Sequence, residues 1–141
     1  MRRNLAKVFG VMVVGSLLLG GCAGVREYVV LGTQKAPDAD AAVRIEEQDG
    51  GNFLVTLTVQ HLLPPDRLAP ELDTYAVWFQ AAGSTPLRVG NLTYDADDRC
   101  GEVVATTTLT SFDIIISGEA GATAAAPSEH EVFRTSVESP Q

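Results

Sequence analysis

Three aspartates in one short stretch are the residues of this sequence best suited to hold a metal ion. Asp95, Asp97 and Asp98 precede Gly101 in the segment "DADDRCGE", and carboxylates at alternate positions supply the oxygen ligands that Ca²⁺ prefers. A calcium loop of the EF-hand type also needs a glutamate at its twelfth position, and the twelfth residue counted from Asp95 is Thr106. Aspartate is common in turns for its own backbone hydrogen bonding. We therefore predict a plain hairpin turn and no metal site, with these aspartates as the candidates if a metal is bound.

Few other residues could ligate a metal or transfer a proton. His61 and His130 are the only histidines, too few for a zinc site without carboxylate or thiolate help, so we expect both at the surface. Cys100 is the only cysteine besides Cys22, and we expect a half-buried thiol, because free cysteine packs as a small hydrophobe. Intermolecular pairing or redox chemistry of Cys100 is the alternative.

No catalytic or nucleotide-binding motif is present. The sequence has no G-x-S-x-G elbow, no G-x-x-x-x-G-K-(S/T) loop and no G-x-G-x-x-G turn. We therefore predict that the protein is not an enzyme and uses no cofactor.

The amino-terminal segment has the layout of an export signal. Arg2, Arg3 and Lys7 form a basic head, and residues 8–19 are almost entirely apolar or small. A membrane-spanning helix needs about 20 consecutive apolar residues, and this run is shorter. We predict a signal-peptide helix in residues 1–21 that is removed on export.

The residues that end this run resemble the lipobox of bacterial lipoproteins. Leu19, Gly20 and Gly21 precede Cys22, and the resemblance implies cleavage before Cys22 and acylation of its sulfur. Each buried CH₂ of an acyl chain contributes about 0.8 kcal/mol, so two or three chains hold a small domain to a membrane. Ala23 favours the outer membrane, by similarity to enterobacterial lipoproteins. An ordinary cleaved signal with a coincidental cysteine is the alternative.

The exported chain would be short and strongly acidic. Cleavage before Cys22 leaves 120 of the 141 residues, with 7 cationic and 18 acidic side chains and a net charge of −11. That charge argues against nucleic acid as a partner, since phosphate binding needs Lys and Arg. It also argues against electrostatic binding to anionic lipid, which leaves the acylated Cys22 as the membrane attachment.

Short segments with alternating apolar residues predict an all-β fold. Turn residues separate them, and none shows ten residues of helical periodicity. We predict an antiparallel β-sandwich of about seven strands in residues 41–138, after a lipidated, flexible tether in 22–40; a closed barrel is the alternative. The expected strands are 43–48, 52–60, 75–80, 87–94, 102–108, 112–117 and 131–137, with a further edge strand at 27–31. The alanine-rich segment 118–128 is expected to be a flexible loop.

Part of the sequence resembles the extracytoplasmic domain of the anti-sigma-K (RskA-like) factors. The stretches that carry the likeness are "LTVQHLLPPDRLAPELDTYAVWFQ", "PLRVGNLTYDADDR" and "LTSFDIIISGEAGATAAAPSEHEVF". They cover residues 43–137, and the resemblance implies an immunoglobulin-like sandwich. Those factors carry a cytoplasmic sigma-binding domain and a transmembrane helix before this module, whereas this chain has a lipobox.

We therefore expect a lipid-anchored protein of the bacterial cell envelope that faces the periplasm or the cell exterior. Its sandwich would serve as a non-enzymatic structural or interaction module for an envelope protein partner, with loops 62–74 and 118–130 as contacts. A sensory or regulatory accessory related to anti-sigma systems is one alternative. A lipoprotein that binds a metal or small ligand is the other.

Overall fold

Nine β-strands and two short 3₁₀ turns make up the fold, and the computed structural model describes residues 24–141. The turns are Asp49–Gly51 and Pro65–Arg67. The strands are β1 Val25–Leu31, β2 Asp40–Glu47, β3 Phe53–Gln60, β4 Thr74–Gln80, β5 Leu87–Asn91, β6 Thr93–Asp95, β7 Cys100–Thr107, β8 Ser111–Glu119 and β9 Glu131–Glu138. None of the helices in this part of the chain is long and apolar enough to cross a bilayer. The predicted signal peptide and Cys22 lie outside the described residues.

The strands form two antiparallel sheets that face each other. One sheet has the order β1-β2-β3-β7-β6 and the other β9-β8-β4-β5. Every pair of neighbours runs antiparallel, and side chains from both sheets share one core. The prediction of an all-β sandwich is confirmed.

One predicted strand proves to be two strands in different sheets. The segment 87–94 divides into β5, which pairs with β4, and β6, which pairs with β7. Leu92 lies between them, is buried, and donates its N–H to the carbonyl of Tyr75 at 2.9 Å. The apolar positions shift from residues 87 and 89 to residues 92 and 94, so the alternation changes phase where the chain passes from one sheet to the other.

The first strand lies within the segment expected to be a tether, residues 22–40. β1 pairs along its whole length with β2, so the sheet includes the chain from Val25 onward. The loop that follows is tight, since a Cβ on Gly32 would lie 1.9 Å from the carbonyl oxygen of Ala36. The edge strand predicted at 27–31 is therefore present as β1, within the segment expected to be a tether, because the chain turns back at once to pair with β2.

β1 also contacts β9, the edge strand of the other sheet. The Tyr28 hydroxyl donates to the carbonyl of Glu138 at 3.0 Å and accepts from its N–H at 2.9 Å. Arg26 lies 3.5 Å from the Glu138 carboxylate. At the other end of β9, the Thr33 N–H donates to the carbonyl of Val132 at 2.9 Å. These contacts close one side of the sandwich, where the edges of the two sheets meet.

Buried and exposed residues alternate along strands that form the core, as the sequence predicts. In β3, Phe53, Val55, Leu57 and Val59 are buried and alternate with more exposed residues, as a half-buried strand should. The other sheet contributes to the same core Tyr75, Val77, Phe79, Phe112, Ile114 and Ile116.

Strand β4 is buried on both faces. Its odd-numbered side chains belong to the main core, whereas Ala76 and Trp78 form a second cluster with Ile115. Trp78 is fully buried there, and Ala124, from the loop after β8, packs against the cluster. The indole therefore lies under this loop and not between the two sheets.

A chain of buried hydrogen bonds fixes that loop. The Trp78 Nε1–H donates to Ser117 Oγ at 2.9 Å, and the Ser117 hydroxyl donates to Glu119 Oε2 at 2.6 Å. The same carboxylate oxygen accepts the N–H of Ser128 at 2.7 Å. The segment 118–128 is predicted to be a flexible loop, but it begins inside β8, and Ser128 near its other end is hydrogen-bonded to Glu119. A buried carboxylate needs hydrogen-bond partners, and the loop supplies one of them.

Replacing Ser117 with alanine should destabilise the protein more than the same change at the surface. S117A leaves the Trp78 N–H unpaired in the interior, so we expect the free energy of unfolding to fall by about 2–3 kcal/mol. S136A is the matched control, since the exposed Ser136 also donates to a carboxylate, that of Asp113, at 2.6 Å; we expect a loss below about 1 kcal/mol. Urea denaturation measures both, and equal losses would contradict the role of the buried chain.

Candidate functional site

The three candidate aspartates form a turn. They lie between β6 and β7, where Asp95 Oδ1 accepts the N–H of Asp97 at 2.9 Å and that of Asp98 at 3.3 Å. This is the backbone bonding that makes aspartate favourable in turns. Within residues 24–141 no group of three or more His, Cys, Asp or Glu side chains is arranged to hold a metal ion.

The histidines and Cys100 lie on separate elements. His61, after β3, is exposed and its Nδ1 lies 2.8 Å from Asp40 Oδ1. His130 is half-buried, and its carbonyl accepts the N–H of Gly118 at 2.9 Å. Cys100 is a partly buried free thiol at the start of β7. Of these residues, only His61 borders a cavity that combines apolar and charged side chains.

That cavity is a cleft of about 430 Å³ at one end of the sandwich. Three loops meet there, after β1, after β3 and before β7, and the start of β4 forms part of the wall. The apolar lining comes from Ala36, Pro37, Leu62, Leu63, Leu68 and Tyr75, and the polar lining from Lys35, Asp38, His61 and Arg99. The volume lies within the roughly 300–1,000 Å³ usual for small-molecule sites. We call this cavity the loop cleft.

Two phenols, the buried Tyr75 and the half-buried Tyr94, hold one wall of the loop cleft in place. The Tyr75 hydroxyl donates to the carbonyl of Leu63 at 2.6 Å, and the Tyr94 hydroxyl donates to the carbonyl of Leu62. The two rings stack edge to face, with centroids 5.6 Å apart. The Leu62 N–H donates to the carbonyl of Arg99 at 3.0 Å. The segment before the diproline turn is thus bonded to three separate parts of the fold.

Burial keeps both phenols protonated. It is the largest cause that raises the pKa of Tyr75 and of Tyr94 above the ordinary value of 10.0, since an apolar surrounding disfavours the phenolate. Both hydroxyls therefore remain hydrogen-bond donors at neutral pH.

The backbone of the loop cleft is strained at two positions. His61 has φ 61° and Arg99 has φ 55°, and they are the only residues other than glycine with positive φ in the described part of the chain. Such conformations cost of the order of 1 kcal/mol or more each and concentrate at functional sites. Both residues line the same cleft, which makes it the candidate functional site.

Sequence reasoning found one wall of this site and missed the others. Loop 62–74 was expected to make contacts and supplies three lining leucines, whereas loop 118–130 covers Trp78 instead. Lys35 and Arg99 gave no signal, because they come from distant parts of the sequence and only the strand order brings them together.

Comparison of the chain with protein-family models, with curated proteins and with solved structures finds no match. The resemblance to the anti-sigma-K domain stays a prediction.

Removing the Tyr75 hydroxyl should lower stability and weaken its dependence on alkaline pH. Y75F leaves the Leu63 carbonyl without its donor, so we expect a loss of about 1–3 kcal/mol at neutral pH. In the wild type the raised pKa of Tyr75 gives stability that is complete below about pH 10 and is lost as the pH rises further, because the unfolded chain ionises first. Y75F lacks this contribution, so urea midpoints measured from about pH 9 to pH 11 should fall less steeply. Parallel pH profiles would contradict this assignment.

Proposed function

We propose that the chain is a lipid-anchored protein of the bacterial cell envelope, whose immunoglobulin-like sandwich is a non-enzymatic interaction module. The basic head, the short apolar run and the lipobox-like "LGGC" before Ala23 support the anchor. The two antiparallel sheets, packed face to face, support the module. The acidic charge leaves acyl chains on Cys22 as the attachment to the membrane.

The single observation that carries the proposal is the short stretch of sequence between Cys22 and the first strand of the sandwich. Val25, the first residue of β1, follows Cys22 by only three positions, a span of at most about 11 Å. Acyl chains on Cys22 would therefore hold this end of the sandwich at the bilayer surface. β1 extends roughly 20 Å from there to Leu31, which pairs with Asp40 beside the loop cleft. The cleft would then face away from the membrane, towards soluble partners.

The surface at the Val25 end fits this orientation. Loops 81–86 and 108–110 lie there against one another and contain no charged residue, and Leu87 beside them is exposed. Glu46, Glu47 and Asp49 lie at the same end on the other sheet. Repulsion from anionic headgroups would favour contact through the uncharged loops.

The content of the loop cleft supports the binding of a ligand. No Ser, Thr or Cys is among its lining residues in the described part of the chain, and Asp40 engages His61 at its border. Most of the residues that line the loop cleft are apolar. Small-molecule sites are typically apolar, with a few polar groups that orient the ligand.

Replacing Cys22 with serine should release the protein from the membrane. Wild type and C100S, the matched control, should fractionate with membranes, and mass spectrometry should find a diacylglyceryl group at an amino-terminal Cys22. C22S should appear in the soluble envelope fraction, since it lacks the acyl chains. An unmodified amino terminus upstream of residue 22, or a C22S protein held as firmly as wild type, would contradict the proposal.

A further inference from the structure

The described part of the chain pairs most of its few cations internally. Of the 7 Lys and Arg side chains in residues 24–141, Arg26, Arg44 and Arg134 form ion pairs with carboxylates. The Arg88 guanidinium lies 5.5 Å from the Trp78 ring centroid and donates to the side-chain oxygen of Asn91 at 2.7 Å. These four cations are therefore engaged within the fold.

The other three cations lie at or beside the loop cleft. Lys35, Arg67 and Arg99 have no carboxylate oxygen within 4.0 Å among the residues that the structure describes. Lys35 and Arg99 line the cleft, and Arg67 ends the 3₁₀ turn that leads into Leu68 of its lining. Lys35 and Arg99 therefore present charged donors in the cleft that are not neutralised by direct ion pairs among the described residues and can bind an anion.

Neutral polar groups on the cleft wall already have partners. The carbonyls of Leu62 and Leu63 accept from Tyr94 and Tyr75, and the Leu62 N–H donates to the backbone carbonyl of Arg99. His61 is engaged by Asp40. Among the charged side chains that line the cleft, Lys35 and Arg99 are available to donate hydrogen bonds to a ligand.

The balance of charge in the lining selects the valence of the anion. Lys35 and Arg99 share the cleft with one lining carboxylate, Asp38, and two more lie beside it, since Asp40 contacts His61 and, in addition to burial, Asp66 helps to raise the pKa of Tyr75. One negative charge can be held between Lys35 and Arg99, whereas a second would meet repulsion from these carboxylates. The apolar wall of Leu62, Leu68 and Tyr75 favours an apolar body behind the charge.

We propose that the loop cleft binds a small organic monoanion, a carboxylate attached to an apolar body. Lys35 and Arg99 hold the carboxylate, and the body packs on the leucines and the Tyr75 ring. This inference rests on the proposed role of the cleft as the binding site of the module, and it adds the chemical class of the ligand.

Titration with 3-phenylpropanoate and its neutral amide tests the proposal. The full-length lipidated protein is held in phosphatidylcholine nanodiscs, and binding is followed by calorimetry and by the methyl resonances of Leu62 and Leu68. We expect the carboxylate to bind at least about tenfold more tightly than the amide, since charge-assisted hydrogen bonds are the stronger kind.

Three variants locate the binding groups. K35Q and R99N should each weaken carboxylate binding about tenfold and leave amide binding unchanged; asparagine tolerates the positive φ at position 99. R67Q is the matched control, because Arg67 lies outside the lining, and its affinity should stay within about threefold of wild type.

Thermal melting confirms that each variant is folded. No saturable binding of the acid, equal binding of acid and amide, or K35Q and R99N with wild-type affinity would each overturn the proposal. These measurements use protein that is already held in a membrane. A negative result would therefore contradict the proposed ligand but not the proposed lipid anchor.

Discussion

The burial of β4 on both faces is the constraint on which the rest of the structure depends. A strand with apolar side chains on both sides must be covered twice, here by the five-stranded sheet and by the loop after β8. Its inner face begins at Tyr75, whose hydroxyl holds a wall of the loop cleft. Its outer face carries Trp78, which orders the covering loop through Ser117 and Glu119. One strand thus positions both the core and the candidate site.

The parts of the fold that could be predicted are those with a local periodic signal. Alternation in β3 predicts which side chains face the core, and "TYAVWFQ" predicts a strand that is apolar on both sides. The pairing of β1 was less accessible, because it leaves no mark on the local pattern of apolar residues. At Leu92 the pattern carries only a shift of phase, from residues 87 and 89 to residues 92 and 94. The alanine-rich covering segment looked flexible because the partners that fix it, Ser117 and Glu119, lie in the preceding strand.

The loop cleft depends on contacts between distant parts of the sequence, and single-sequence reasoning does not see such contacts. Lys35, His61 and Arg99 are each unremarkable in their own segments. The strand order brings the three loops to one end, and the positive φ angles at His61 and Arg99 appear only in the folded backbone. The diproline after Leu63 marks the turn, yet the bonds to Tyr75 and Tyr94 give that turn its fixed position.

The bonding of Tyr28 to Glu138 has a consequence for how copies of the chain can coexist. An exposed edge strand is a template for pairing with a neighbouring chain and so for aggregation. By taking both the carbonyl and the N–H of Glu138, a single phenol occupies backbone groups at the β9 edge that a second molecule would otherwise use. Where copies of the chain meet side to side, this intramolecular cap leaves fewer backbone groups open to strand pairing at that end of the β9 edge.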